Sequence, residues 1–374
     1  MSLPPFALER FFAAYEFTTP HILCASDCEA LTLAEALALA TPEAAALWDG
    51  LALGYTESAG HPRLRQEIAS LYAGLAPEQT LVLAPEEGIY LAMHALLSPG
   101  DHVVCMFPGY QSLYAVAEAR GCIVTRWEPR LQGDGWAFAL DDLLALLRPD
   151  TRLLIINLPH NPTGALLTPG DWEALLALCA ERELTLFSDE MYRGLEQHGW
   201  AQLTSACERY PRAITLAGLS KALSAPGLRI GWLATQNEAL LARCAALKDY
   251  TTICNSAPSE ALALMVLQAR EQIVAANRAL IASNRALCDA FFSRHGERLL
   301  WLPPQGGSVA FPQYRGQEGA DAFCRAAREE AGVLLAPGSL WGYDRHLRIG
   351  LGRRSLCRGL DALDGWLHRQ GELR

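Results

Sequence analysis

From about residue 79 onward, short apolar runs alternate with amphipathic stretches, and few folds accommodate that alternation. Residues 81–83, 103–107, 123–124, 153–156, 184–187 and 214–216 read as strands, while 89–97 and 172–180 read as helices between them. This pattern predicts a mainly parallel sheet covered by helices on both faces. In such a sheet, ligands sit beyond the carboxyl ends of the strands. Asn161, Asp189 and Lys221 each fall at or just past the end of an apolar run.

Lys221 follows the apolar residues 213–217 and is hemmed by Ser220, Ala222, Ser224 and Gly227. An amine in such surroundings is poorly hydrated. Desolvation and nearby cations lower a lysine's pKa and make it a nucleophile towards aldehydes. Arg229, eight residues on, opens a second apolar run. The chain's other lysine, Lys248, lies in a helical stretch ahead of Asp249-Tyr250. Taken alone, the Lys221 stretch reads first as a surface loop with an ordinary lysine.

Asn161-Pro162-Thr163-Gly164 follows one apolar run and Asp189-Glu190-Met191-Tyr192 follows the next. With Ser220-Lys221 and Arg229, these resemble the class I/II aminotransferases, the fold-type-I enzymes that use pyridoxal 5'-phosphate (PLP). The landmarks keep the family's order from about Tyr55 to Arg348, and it is their register that carries the resemblance. It implies an α/β chain of PLP-dependent transferase fold type I. A large domain with a mainly parallel sheet sandwiched by helices would be joined by a small α+β domain.

The expected division is an N-terminal segment over 1–50, in the small domain or a dimer arm. A large PLP-binding domain over 51–265 and a small C-terminal domain over 266–374 would follow. Residues 31–47 are rich in Ala and Leu, as helices are, and 237–294 are mostly helical. Residues 299–311 read as strand, turn and strand, 320–330 as a helix, and 346–349 as a strand before a last helix from Ser355. The patch Phe11, Phe12 and Tyr15 is too aromatic for a disordered tail. The resemblance implies that this segment drapes over the active site or the partner subunit.

PLP chemistry asks few groups of the protein, each with a physical task. On the resemblance, Lys221 holds the cofactor's aldehyde as a Schiff base and moves the substrate's α-proton. Asp189 keeps the pyridine nitrogen protonated, while Asn161 and Tyr192 hydrogen-bond the ring oxygen. Tyr110, in Pro108-Gly109-Tyr110, stacks on the pyridine face. Ser220 and Arg229 take the phosphate, to which a helix N-terminus adds N–H groups. Tyr55 reaches the phosphate of a neighbouring subunit, implying a homodimer with active sites at the interface. Arg348 grips the substrate α-carboxylate as a bidentate partner, with Asn161 beside it. From the residues alone, each has an ordinary alternative: a helix-capping aspartate, an Asn-Pro turn, a loop or core tyrosine, a structural salt bridge.

Two positions depart from the family's pattern. Ala84-Pro85-Glu86-Glu87-Gly88 stands where Gly and a small residue usually open the phosphate-binding helix. Gly218 stands where a serine often precedes the lysine by three. Pro85 removes one N–H and Glu86 brings negative charge. Either this loop binds phosphate with fewer donors, or the glutamates point outwards and cap the helix electrostatically.

The activity expected is a ping-pong PLP-dependent aminotransferase acting on an α-amino acid and a 2-oxo acid. The alternative is β/γ-elimination, as in carbon–sulfur lyases, or cyclisation on the same fold. No second arginine is placed for a side-chain carboxylate, and Arg193 adjoins Tyr192 with no evident direction. Aspartate is therefore disfavoured as donor. Glu29, Glu57, Glu86 or Glu196 would make the pocket edge acidic and favour a neutral or basic side chain.

A transcription regulator with an aminotransferase-like domain would need a DNA-binding domain. The roughly fifty residues before Tyr55 lack a basic helix pair. A formal net charge of -10 argues against nucleic acid or an anionic membrane as partner. With no signal-like segment and no bilayer-length apolar run, a cytoplasmic location is expected. Eleven irregularly spaced cysteines fit reduced thiols, and Cys24 and Cys28 lack a second pair for a metal, so none is expected.

Overall fold

A computed structural model describes residues 2–133 and 135–372. Its central sheet contains β1 (Thr80–Leu83), β2 (His102–Met106), β3 (Ile123–Trp127), β4 (Thr151–Asn157), β5 (Thr185–Asp189), β6 (Ala213–Gly218) and β7 (Gly231–Ala234). Their spatial order is β1-β7-β6-β5-β4-β2-β3. Neighbours from β6 through β3 pair in parallel, and β7 runs antiparallel to both β6 and β1. The expected mainly parallel sheet is present, with one reversed strand built from the run after Arg229. Because β7 is reversed between them, β1 and β6 point the same way. The carboxyl ends of β1 to β6 therefore share one edge of the sheet, where β7 begins.

The strands read as continuous apolar runs because both faces are covered. Val104, Met106, Leu154 and Ile156 pack to one side with Trp172 and Leu175. Val103, Cys105, Leu153 and Ile155 pack to the other with Ile89 and Met93. This is the period of two that a pleated strand imposes.

Among the helices, α1 (Ala7–Tyr15) carries the N-terminal aromatics, and α2 (Pro85–Leu96) starts directly after β1. α3 (Pro169–Glu181) is N-capped by the Thr168 hydroxyl, which accepts from the Asp171 N–H. Proline occupies the first helical position in α2 and α3, where no backbone donor is needed. The Ala/Leu-rich stretch forms helices Leu33–Ala38 and Pro42–Asp49, each capped by a threonine.

A smaller sheet joins Val309–Ala310, Leu347–Gly350 and Ala336–Pro337, with Leu347–Gly350 in the middle. α4 (Arg270–Arg294) and α5 (Leu356–Glu372) pack with it through a core that includes Ile281, Phe291, Leu347 and Leu356. The chain's beginning is built into this end: His21–Ile22 pairs in parallel with Val333–Leu334, and Gly350 donates its N–H to the Leu23 carbonyl at 2.7 Å. Gly350 has to be glycine, because a Cβ there would overlap the Ala25 carbonyl oxygen. This close approach lays residues 23–27 along the strand that carries Arg348. Among the described residues, no helix is long and apolar enough to cross a membrane.

Candidate active site

The loops leaving the common edge of the sheet converge on a cavity of about 620 Å³. Asn161 follows β4, Asp189 ends β5 with Tyr192 just after it, and Ser220-Lys221 follows β6. Tyr110 follows β2, Pro85 and Glu86 follow β1, and Arg229 precedes β7. Arg348 enters from the smaller sheet. Ten of the eleven residues singled out from sequence thus line one space.

The eleventh, Tyr55, does not. It is 93% exposed, in a surface region with Leu53, Tyr250 and Ile253 that is also exposed. Thr56 ties its loop to the Asn255 carbonyl at 3.3 Å. Any part Tyr55 plays in a cavity of this kind requires a second copy of the chain.

The Lys221 ammonium donates to Ser26 Oγ at 2.8 Å and lies 6.0 Å from the centre of the Tyr192 ring. Burial lowers its pKa, Asp27 opposes that, and the Arg348 charge adds to it. Asp189 Oδ1 accepts the Met191 N–H at 3.1 Å. Burial pushes its carboxyl up to about 7, although that hydrogen bond and Lys221 pull the other way. Such a carboxylate is short of a cationic partner. Tyr192 and Ser220 are buried, and neither hydroxyl has a hydrogen-bond partner among the described residues. Buried polar atoms without partners are rare, and these two face a space large enough for a ligand.

Arg348 is fully buried. Its Nε and Nη2 donate to the Cys24 carbonyl at 3.2 and 2.9 Å, and Nη1 donates to Asn161 Oδ1 at 3.3 Å. A guanidinium has five N–H groups, two on each terminal nitrogen. One N–H on each terminal nitrogen is therefore left over, the pair that a carboxylate can accept. Asn161 is held in turn by its own N–H, which donates to Asn157 Oδ1 at 2.7 Å.

Pro85 and Glu86 answer the question raised by the altered loop. The N–H groups of Glu86 and Glu87 lie outside the helix's own ladder, whose first bond here runs from Gly88 to Ala84. Glu87 turns away and accepts from the hydroxyls of Thr251 and Thr252. Glu86 does not point outwards as one expectation held: it lines the cavity. Burial pushes its carboxyl up to about 7.

The two departures from the pattern are one packing solution. A Cβ on Gly218 would come within 3.2 Å of Pro85 Cγ and 3.0 Å of Gly231 Cα. The proline ring takes the room that a serine at 218 would use.

A match to the class I and II aminotransferase family model covers residues 22–358. The chain belongs to that family. It is 30% identical over 322 residues to capreomycidine synthase of Streptomyces vinaceus, an alignment covering 85% of this chain and 82% of that protein. A PLP-dependent aminotransferase from Streptococcus suis superposes with a TM-score of 0.91 at 30% identity, covering 99% of both chains. The PLP-dependent cyclase OrfR matches with the same score and identity, over 99% of this chain and 98% of its own. The chain is a member of the PLP-dependent aminotransferase superfamily with the fold-type-I architecture, and its relatives include both transferases and cyclases.

The cavity is edged by carboxylates, and one of the four glutamates named from sequence is among them. Of Glu29, Glu57, Glu86 and Glu196, only Glu86 lines the cavity. Glu29 accepts the Arg354 N–H, Glu57 is exposed, and Glu196 is buried against Gly194. Apart from Asp189, the cavity's other carboxylates are Glu9, Glu16 and Asp27, all from the N-terminal segment. Glu9, Phe12 and Glu16 recur at helical spacing, and that was the signal available for them. The Tyr110 hydroxyl donates to Glu9 Oε1 at 3.0 Å, and Phe6 sits 5.0 Å from the Tyr110 ring. α1 therefore covers this chain's own cavity.

Arg193 faces away from it, 3.6 Å from Glu190. Cys24 and Cys28 are buried, and burial pushes each thiol up to about 12. His295, Asp364 and His368 also come together. Arg294 lies 3.4 Å from the same Asp364 carboxylate and already supplies a cation there.

Asp189 gives a pH signature in protein stripped of cofactor. Folded, it keeps its proton up to about pH 7, whereas an ordinary aspartate loses it near 3.8. Between those values the unfolded chain binds fewer protons, so stability falls as pH rises through the window and then levels off. The melting temperature of the parent should therefore drop relative to Asp189→Asn between pH 4 and 7. Parallel curves would show that Asp189 ionises normally.

Proposed function

We propose that the protein is a homodimeric PLP-dependent aminotransferase that moves an amino group between an α-amino acid and a 2-oxo acid. The observation that carries this reading is the single cavity containing the Lys221 amine, the unpartnered Tyr192 and Ser220 hydroxyls and the two spare N–H groups of Arg348.

The residues fit the cofactor. Lys221 would hold it covalently, Asp189 would face its pyridine nitrogen, and Asn161 and Tyr192 its ring oxygen. Tyr110 would flank the ring. Ser220, Arg229 and the first turn of α2, with Pro85 and Glu86, would surround the phosphate. Bound there, PLP supplies an electron sink for the bonds at the substrate's α-carbon. The protein's share is binding and proton movement. Arg348 seats the α-carboxylate through its two spare N–H groups. Lys221, with a pKa lowered by burial, takes the α-proton. Asp189, in a dry site, holds a positive charge on the pyridine nitrogen. A partly protonated Glu86 limits repulsion beside the phosphate. Phe6 and Phe12 of the N-terminal segment line the cavity and keep water from the α-carbon.

A second reading, cyclisation or elimination, has specific support in the likeness to capreomycidine synthase and to the cyclase OrfR. Both readings use the same residues. The test is to load purified protein with PLP and add single amino acids without an acceptor. The visible spectrum, keto-acid and ammonia are followed, and sedimentation gives the oligomeric state. Keto-acid with the aminated cofactor supports transfer. Ammonia released with turnover supports elimination, and a ring product with neither supports cyclisation. A monomer would sink the dimer.

A further inference from the structure

Accepting that Arg348 holds the α-carboxylate, we propose that the substrate is an amino acid with a long cationic side chain. Its guanidinium or ammonium would be held by Glu16, with Glu9 and Asp27, on the N-terminal wall of the cavity. Besides Asp189, four carboxylates line this space: Glu9, Glu16, Asp27 and Glu86. The cations that face them have other tasks. Arg348 has its three donations and two spare N–H groups, Lys221 bonds Ser26, and Arg229 donates to the Pro226 carbonyl at 3.0 Å. Arg10 also lines the cavity, but it is exposed.

The carboxylates differ in how well they are satisfied. Asp27 pairs with Arg353 at 2.6 Å, and Glu9 accepts the Tyr110 hydroxyl. The Glu16 carboxylate has no hydrogen-bond or ion-pair partner among the described residues. It is partly buried, and its pKa is raised first by burial and then by the charge of Asp27. A carboxylate held near another one, and partly out of water, is destabilised until a cation arrives.

Helix geometry places this wall beside the α-carboxylate subsite. The Phe12 ring lies 5.7 Å from the Arg348 guanidinium. Glu9 and Glu16 lie three residues before and four after Phe12, so their Cβ atoms are about 5–6 Å from that of Phe12. A substrate anchored on Arg348 with a side chain of several bonds reaches them. An acidic side chain would meet like charge here, and a neutral one would leave Glu16 unpaired. The cation preference follows from both.

The test uses the full chain loaded with PLP. L-arginine, L-lysine, L-norleucine and L-glutamate are titrated singly, and dissociation constants are read from the cofactor's absorbance. L-arginine or L-lysine should bind at least about tenfold more tightly than L-norleucine, with L-glutamate weakest. Glu16→Gln and Glu9→Gln should each reduce the cation-to-norleucine ratio, and Glu16→Lys should move the order towards L-glutamate. Norleucine binding as tightly as both cations overturns the inference and leaves the Arg348 reading standing. A cation preference that survives all three variants overturns the assignment to this wall. If no amino acid binds while PLP remains attached, the α-amino acid reading fails as well.

Discussion

Lys221→Ala is expected to abolish borohydride-trapped attachment of PLP and to lower turnover by at least about 10³-fold. Lys221 is the amine in the cavity, bonded to Ser26 Oγ at 2.8 Å with its pKa lowered by burial. Lys248 offers no replacement. It is fully buried elsewhere, and its ammonium donates to the carbonyls of Ser58 at 2.7 Å and Ile253 at 3.2 Å. Mass spectrometry after reduction with PLP should show the cofactor's added mass on the parent and none on the variant. An adduct retained in Lys221→Ala would refute the assignment.

Arg348→Lys should raise the KM for the amino acid by about 100-fold while lowering kcat far less. The guanidinium bonds the Cys24 carbonyl twice and Asn161 once, and still keeps one N–H on each terminal nitrogen. An ammonium has three donors in all, so it cannot satisfy Cys24 and Asn161 and also grip a carboxylate in two places. The loss therefore falls on ground-state and transition-state binding alike, which steady-state kinetics reads as KM. A KM within about threefold of the parent would place the α-carboxylate elsewhere.

The central sheet was legible because each strand is sandwiched and so reads as an unbroken apolar run. The lysine, asparagine and aspartate were legible because they sit where those runs end. β7 was harder, because Gly231–Ala234 is short and its reversed direction leaves no mark in composition. The placement of Glu86 was not legible: at the first turn of α2, Glu87 accepts from Thr251 and Thr252 while the adjacent Glu86 lines the cavity. The fit of Pro85 over Gly218 was also hidden, since it joins two strands distant in sequence. Ser26 and Asp27 reach Lys221 only because a glycine at 350 admits the Ala25 carbonyl, and nothing local to residues 25–27 announces that.

The seating of residues 23–27 against the strand of Arg348 bears on how the protein is made. Cys24 and Arg348 are 324 residues apart, and both sides of the cavity depend on their contact. At about 5–20 residues per second, roughly 15–65 s of synthesis separate the two. Through that interval the sheet can assemble, but the segment around Cys24 has no strand to lie on. Phe11 and Phe12 must wait with it. The cavity's N-terminal wall is thus translated well before the strand that seats it, and substrate recognition has to wait for that strand.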